Sequence, residues 1–287
     1  MFKNVIVGID FSECSYNAML HAVSLASKLN TSLTLLFVVS PDEKIVVDSV
    51  HTENSDIITY AQKRLSELAD ECKKTLPKDK VHFKIRLGKP SREINTEARI
   101  QGDAITVLGT HGCSGFEEVF IGSSAFKTVS GSSNPIMTIR EGINIHRDLT
   151  DILLVIDGSR ETLQKLKIAA RLAKAFQAKI HLIAAYADKY PEINKIVDAN
   201  INIAENYLTE KDIRFEADSV ENTRKADAII EIARKKDVNL IIVMKEVELA
   251  SETQFILAQF SERIVNRSPI PILTVPVDTS IYYSKEH

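Results

Sequence analysis

Asn4-Val5-Ile6-Val7-Gly8-Ile9-Asp10 and Asp151-Ile152-Leu153-Leu154-Val155-Ile156-Asp157 are two apolar runs of strand length, each closed by an aspartate. A serine follows each at the same offset, Ser12 and Ser159. A serine hydroxyl there is placed to cap the free N–H groups of a following helix. The next apolar helices carry Leu25-Ala26 and Leu172-Ala173, and they lead into the apolar runs Ser32–Val39 and Lys179–Ala185. Strand, helix, strand is written twice, so the chain reads as two copies of one α/β unit.

The order continues in each half. Ile57, Ala61, Leu65, Leu68 and Cys72 recur at helical spacing, followed by a short strand at 81–85, a helix at 91–100, an apolar strand at 104–108 and a last strand Ile136–Ile139. The second half predicts a helix over 192–208, a strand near 213–215, a helix Ala226–Lys235, then strands Leu240–Met244 and 270–275. Pro135 aligns with Pro271 and Thr138 with Thr274, which makes the second copy shorter in its middle. Strands apolar throughout, separated by helices, indicate parallel sheets covered on both faces. The expected domains are 1–142 and 150–277, joined by a short linker, with 278–287 as a tail.

Charge and composition exclude several classes. With 36 Lys plus Arg against 39 Asp plus Glu, the net charge of −3 creates no field toward nucleic acid or an anionic bilayer, and neither partner is expected. No run approaches the roughly 20 apolar residues of a membrane span. The N-terminus enters a strand directly, without a cleavable apolar leader, so a cytoplasmic protein is expected. Cys14, Cys72 and Cys113 have no metal-ligand spacing and form no disulfide framework, although Cys14 and Cys113 both follow strand ends. His21, His51, His82, His146 and His181 share no cluster pattern that would define a zinc site.

The segment with chemistry in it follows the fourth strand. Gly109-Thr110-His111-Gly112-Cys113-Ser114-Gly115 opens a glycine-rich loop that runs on to Gly122-Ser123-Ser124 at a helix start. Glycines let a ligand approach the backbone, and free N–H groups at a helix start attract phosphate; alternatively, the glycines only turn the chain. At the carboxyl ends of a parallel sheet this loop stands beside Asp10, where ligands of such sheets bind. An aspartate next to phosphate is repulsive, which leaves three roles for Asp10: accepting from a ribose hydroxyl, holding a divalent cation, or stabilising a helix N-terminus.

The opening strand ending in Asp10, Leu87-Gly88-Lys89-Pro90, the spaced Gly109-x2-Gly112-x9-Gly122-Ser123 and Asn134-Pro135-Ile136-Met137 together resemble the universal stress protein family in its tandem, two-domain form. The resemblance spans nearly the whole chain. It implies an α/β fold of two doubly wound parallel-sheet domains with strand order 3-2-1-4-5, paired through their fifth strands about a pseudo-twofold axis. It also implies ATP binding, or AMP or ADP, with Mg as a companion ion. By resemblance Ile9 and Asp10 touch adenosine, Val38 or Val39 reads adenine through the backbone, Leu108 and Gly109 line the ribose, and Gly112, Gly122, Ser123 and Ser124 hold phosphates.

Two departures stand within this loop: Cys113 where the family often has a basic residue, and the acidic pair Glu117-Glu118. The second copy departs further, since alignment puts Lys245 at the place of Gly109, Glu248 at Gly112, Ala258 at Gly122 and Gln259 at Ser123, with Glu246 nearby. One adenine nucleotide per chain, in the first domain of a cytosolic stress protein, is therefore the expectation. The alternatives are a slow ATPase and a nucleotide-free scaffold or interaction protein. Turnover is disfavoured because no lysine lies in 109–124 and no P-loop pattern is present. Protein partners, and oligomers beyond the intramolecular pair, stay open; residues 44–55 are long enough to cover a ligand.

Overall fold

Each apolar run becomes a strand of one of two parallel sheets in the computed structural model, which divides into unit 1, Met1–Gly142, and unit 2, Ile143–His287. The structure describes residues 2–40, 46–47, 50–51, 54–110, 123–140, 148–186, 191–220, 226–245, 264–265 and 268–278.

Unit 1 runs β1 (Asn4–Ile9), α1 (Glu13–Leu29), β2 (Ser32–Val39), a small antiparallel pair β3 (Val46–Val47) and β4 (Val50–His51), α2 (Asn54–Cys72), β5 (Val81–Leu87), α3 (Pro90–Gln101), β6 (Ala104–Gly109), α4 (Ser123–Gly131) and β7 (Ile136–Ile139). Its parallel sheet has the order β5-β2-β1-β6-β7, which is 3-2-1-4-5 when only its own strands are counted. Unit 2 repeats it with β8 (Asp151–Ile156), α5 (Leu166–Phe176), β9 (Lys179–Ala185), α6 (Pro191–Glu210), β10 (Phe215–Val220), α7 (Ala226–Lys235), β11 (Leu240–Met244) and β12 (Ile272–Val275), in the order β10-β9-β8-β11-β12.

Helices cover both faces of unit 1. Ile6, Leu36, Leu108 and Ile136 pack with Ile94 and Ala98 of α3 and Val129 of α4. The next residue after Leu108 points to the other face, where a Cβ built on Gly109 would meet Cys14 of α1. Burial on both faces is why these strands read as continuous apolar runs. In unit 2, Leu153, Val155, Ile183, Ile241, Val243 and Ile272 form the matching cluster with Ala226, Ile229 and Ala233 of α7.

Helix endings repeat as well. Asn30 and Gln177 both adopt left-handed backbone, φ 53° and 57°, and donate their N–H groups to the last carbonyls of α1 and α5. Gly102 after α3 and Asp237 after α7 take φ 71° and 51°. Asparagine, aspartate and glycine tolerate positive φ best, and Gly102, with ψ −114°, takes a conformation outside the left-handed helical region that suits glycine.

Three local expectations change. β10 runs Phe215–Val220 rather than near 213–215, because Asp212 (φ 53°) still belongs to the turn after α6. Its apolar pattern is broken by Glu216 and Asp218, whose charges are satisfied by Lys179, His181 and Lys236. Ser159 does not cap an α-helix: a 3-10 turn, Thr162–Lys165, precedes α5, and the Ser159 hydroxyl donates to Asp157 instead. The third change concerns register. Thr110 N–H donates to the Ile139 carbonyl and Lys245 N–H to that of Val275, while Gly109 pairs with Ile139 and Met244 with Val275. Met244, not Lys245, therefore occupies the place of Gly109, and Lys245 corresponds to Thr110. The alignment from Pro135 and Pro271 slips by one residue at the fourth strand.

Candidate functional site

The crevice of a 3-2-1-4-5 sheet opens at the carboxyl ends of strands one and four, where successive strands depart to opposite sides. In unit 1 those are β1 and β6. Their register pairs Asn4 with Ala104 and Val7 with Val107. Continued by three residues, it sets Asp10 level with Thr110.

Asp10 is exposed, and its Oδ1 accepts from the Ser12 N–H at 3.0 Å and from the Ser12 hydroxyl at 2.5 Å. Ser12 in turn caps α1, its Oγ accepting from the Ser15 N–H at 3.1 Å. Ser15 Oγ accepts from the Asp10 N–H at 3.3 Å and donates to the Ser12 carbonyl at 2.9 Å. Every hydroxyl hydrogen in this turn has an acceptor. The arrangement fixes the aspartate at the strand end and turns one of its oxygens into its own loop.

Between Asp10 and this cap lies Phe11, which the sequence reading passed over. It holds φ 64° without being glycine. Its ring lies 4.9 Å from that of Phe37 and 5.9 Å from that of Tyr60. Left-handed backbone costs a side-chain-bearing residue about 1–2 kcal/mol, and aromatic contacts of this kind offset it in part. The Asp-Phe-Ser triplet at the strand end was the available signal.

The remaining sequence-predicted residues fall into three groups. Ile9, Leu108 and Val39 are buried, and Val38 is half-buried, so these positions offer a ligand mostly backbone. The Val39 carbonyl already accepts from the Gly88 N–H at 2.9 Å. Gly109 has a structural reason of its own: an added Cβ would lie 2.9 Å from Cys14 Sγ and 3.0 Å from the Cys14 carbonyl carbon. Close approach of α1 to β6 therefore requires glycine here whether or not a ligand binds. Ser123 begins α4, and Ser124 in its first turn is exposed. Gly112, Gly122, His111, Cys113 and Glu117-Glu118 lie outside the described residues, as do Glu246, Glu248, Ala258 and Gln259 of the second copy and most of 44–55.

Other titratable groups are accounted for by packing. Glu97 is fully buried and receives Lys84 Nζ at 2.6 Å, Gln101 Nε2 at 2.7 Å and the Arg86 guanidinium. Burial alone would raise its pKa; bonds from Lys84, Gln101 and Arg86 outweigh it and hold the carboxyl at about 2. His181 sits between Glu216 Oε1 and Asp151 Oδ1, 2.7 Å from each. Burial pushes the Cys72 thiol up to about 12, and Cys14 is buried as well, its Sγ donating to the Ile139 carbonyl at 3.5 Å. Among the described residues no group of three or more His, Cys, Asp or Glu is arranged to hold a metal, and no helix is long and apolar enough to cross a membrane.

A doubly wound sheet of order 3-2-1-4-5, written twice with an aspartate closing each first strand, defines a tandem α/β protein of two doubly wound domains. The Universal stress protein family matches residues 1–140 and again 149–276. The chain belongs to that family. Universal stress protein YxiE of Bacillus subtilis is 29% identical over 153 residues, which is 49% of this chain and 100% of that relative. A universal stress protein from Archaeoglobus fulgidus shares the fold over 96% of this chain and 97% of its own, with TM-score 0.73 at 19% identity. A functionally unknown protein of Pseudomonas aeruginosa does so with TM-score 0.63 at 13% identity, over 98% and 95% of the two chains.

Proposed function

We propose that this is a cytosolic stress-response protein that binds one adenine nucleotide per chain, in unit 1. The observation that carries the reading is the strand-end arrangement. Asp10 and Thr110 stand level at the point where the sheet order reverses, and α4 begins at Ser123 after the glycine-bearing segment. An aspartate fixed by Ser12 is suited to accept from a ribose hydroxyl. The adenine edge would meet backbone at Val38 and Val39, with Ile9, Leu108 and Gly109 flanking the sugar. Phosphates would lie toward Gly112, Gly122, Ser123 and Ser124, where N–H groups at a helix start favour negative charge. The described residues that support the nucleoside half of this reading are Asp10, fixed by Ser12, and the strand-end backbone at Val38 and Val39. Mg accompanying ATP would be held chiefly by the nucleotide's own phosphates, with Asp10 as a carboxylate available at the strand ends.

The test is purification under native conditions followed by gentle denaturation and mass spectrometry of the released small molecules. ATP, ADP or AMP released from the parent, and not from a Gly122→Val variant with the same circular-dichroism spectrum, is the expected result. Equal release from the variant removes the glycine segment from the site, and no nucleotide bound by either protein, even after added ATP, favours a scaffold.

A further inference from the structure

In unit 2 the same strand end is built from different groups. Lys165 is 1% exposed, among the largest fully buried side chains of the protein. It occupies the helix position matched by Ala18 in unit 1, counted back from the equivalent stops Gln177 and Asn30. Its Nζ donates to Thr162 Oγ1 at 2.8 Å. Thr162 is fully buried, and its Oγ1 also accepts from the Asp157 N–H at 3.1 Å.

A donor count follows. An ammonium has three N–H bonds, and Lys165 places one on Thr162. Thr162 Oγ1 accepts twice, and its own hydroxyl hydrogen has no acceptor among the described residues. Three donors thus converge in a buried place where none of the described residues receives them. The equivalent hydroxyl in unit 1, Ser15, gives its hydrogen to the Ser12 carbonyl and has Ala18 beside it, leaving no surplus. Buried donors left unpaired are costly, and a buried cation without a contacting counter-charge more so.

Asp157 does not supply the missing acceptors. Its Oδ1 accepts from the Ser159 N–H at 2.8 Å and the Ser159 hydroxyl at 2.6 Å, and its carbonyl accepts from Asn200 Nδ2 at 2.8 Å. Asp157 attracts the ammonium at longer range, while burial outweighs that attraction and draws the Lys165 pKa down to about 8. β8 and β11 pair Leu154 with Ile242, so the same register continued brings half-buried Lys245 level with Asp157. A second positive charge therefore stands at the same strand ends.

We infer that the carboxyl end of the unit 2 sheet is a binding site for a small oxyanion, phosphoryl or carboxylate, received by the Lys165 ammonium and the Thr162 hydroxyl. Charge-assisted bonds of this kind are short and strong, and the ligand would satisfy all three surplus donors. The site needs no glycine loop, which is consistent with its loss from the second copy. It is independent of nucleotide binding in unit 1.

The experiment uses the full chain at pH 7, titrated separately with inorganic phosphate and with malonate. Binding sites are counted by calorimetry, and the Lys165 ¹⁵Nζ resonance is followed by NMR. The expected result is a saturable displacement of that resonance by at least one of the two probes, and whichever saturates identifies the ligand chemistry. One binding site should be lost, or weakened about tenfold or more, in both Lys165→Met and Thr162→Val. An unmoved Lys165 resonance with both probes, or the same number and affinity of sites in folded Lys165→Met as in the parent, overturns the proposal. Anion binding at unit 1 would persist in both variants and leave the Lys165 resonance still, so the two sites are told apart.

Discussion

After the first strand, unit 1 turns directly into an α-helix capped by Ser12, whereas unit 2 inserts the 3-10 turn Thr162–Lys165 before its helix begins. The difference propagates to the fourth strand. In unit 1 the first helical turn lies so close to β6 that position 109 has no room for a Cβ; in unit 2 the matching position holds the buried side chain of Met244. One fold thus accommodates two strand-end chemistries by moving a single helical turn. Gly109 and Met244 are best understood as packing partners of those turns, so the loss of this glycine from the second copy is not by itself a sign of a lost ligand.

Gly109→Ala breaks or sharpens that comparison most strongly. A methyl group 3.0 Å from Cys14 backbone forces α1 or β6 to shift, and the expected cost is about 2–3 kcal/mol in urea denaturation. Unchanged stability would mean that α1 yields freely and that the glycine is there for a ligand alone.

Lys165→Met is expected to act in the opposite direction. Replacing a buried cation that no carboxylate of the described residues contacts with an apolar side chain of similar length should stabilise unit 2 by about 2 kcal/mol at pH 7. The sign follows from a folded pKa of about 8 against 10.5 unfolded. Above pH 8 the unfolded chain binds more protons at this residue, so parent stability gains from it until about pH 10.5, while below 8 the full penalty is present. The advantage of the variant should shrink across that window, and an advantage that is flat with pH would contradict the assignment.

Glu97 sharpens the contrast from unit 1, because Ile232 holds the matching place in α7, five residues before Asp237 as Glu97 is before Gly102. With its pKa held at about 2, Glu97 contributes stability that is present above the unfolded value of 4.5 and fades as pH falls toward 2. Roughly 2 kcal/mol should be lost over that window, discounted for the partial exposure of Lys84. Glu97→Gln should remove most of this dependence in acid titrations followed by hydrogen exchange in unit 1.

Much of this was legible in the residues. Apolar runs such as Ala104–Leu108 within β6 and the paired motifs at Asp10 and Asp157 fixed both the repeat and the parallel sheets, because strands buried on both faces leave an unbroken hydrophobic signal. β10 was misplaced since Glu216 and Asp218 find their partners on other elements, which a local pattern does not reveal. The one-residue slip at Lys245 arose because apolar strands carry no internal landmark, and only the bonds of Thr110 and Lys245 to the last strands decide it. Lys165 escaped notice although it interrupts the buried face formed by Thr162, Leu166 and Ala169; it lies in the 3-10 turn, which has no distinct sequence signature. The phosphate half of the site proposed for unit 1 rests on Gly112 and Gly122, outside the described residues.

The central claim is one nucleotide per chain, held by unit 1. Calorimetric titration of the full chain with ATP in excess Mg²⁺ tests it most directly, alongside Gly122→Val and Lys165→Met. The account predicts a stoichiometry near one for the parent, loss of the signal in Gly122→Val and its retention in Lys165→Met. A stoichiometry near two, or ATP binding that survives Gly122→Val and disappears in Lys165→Met, would contradict it.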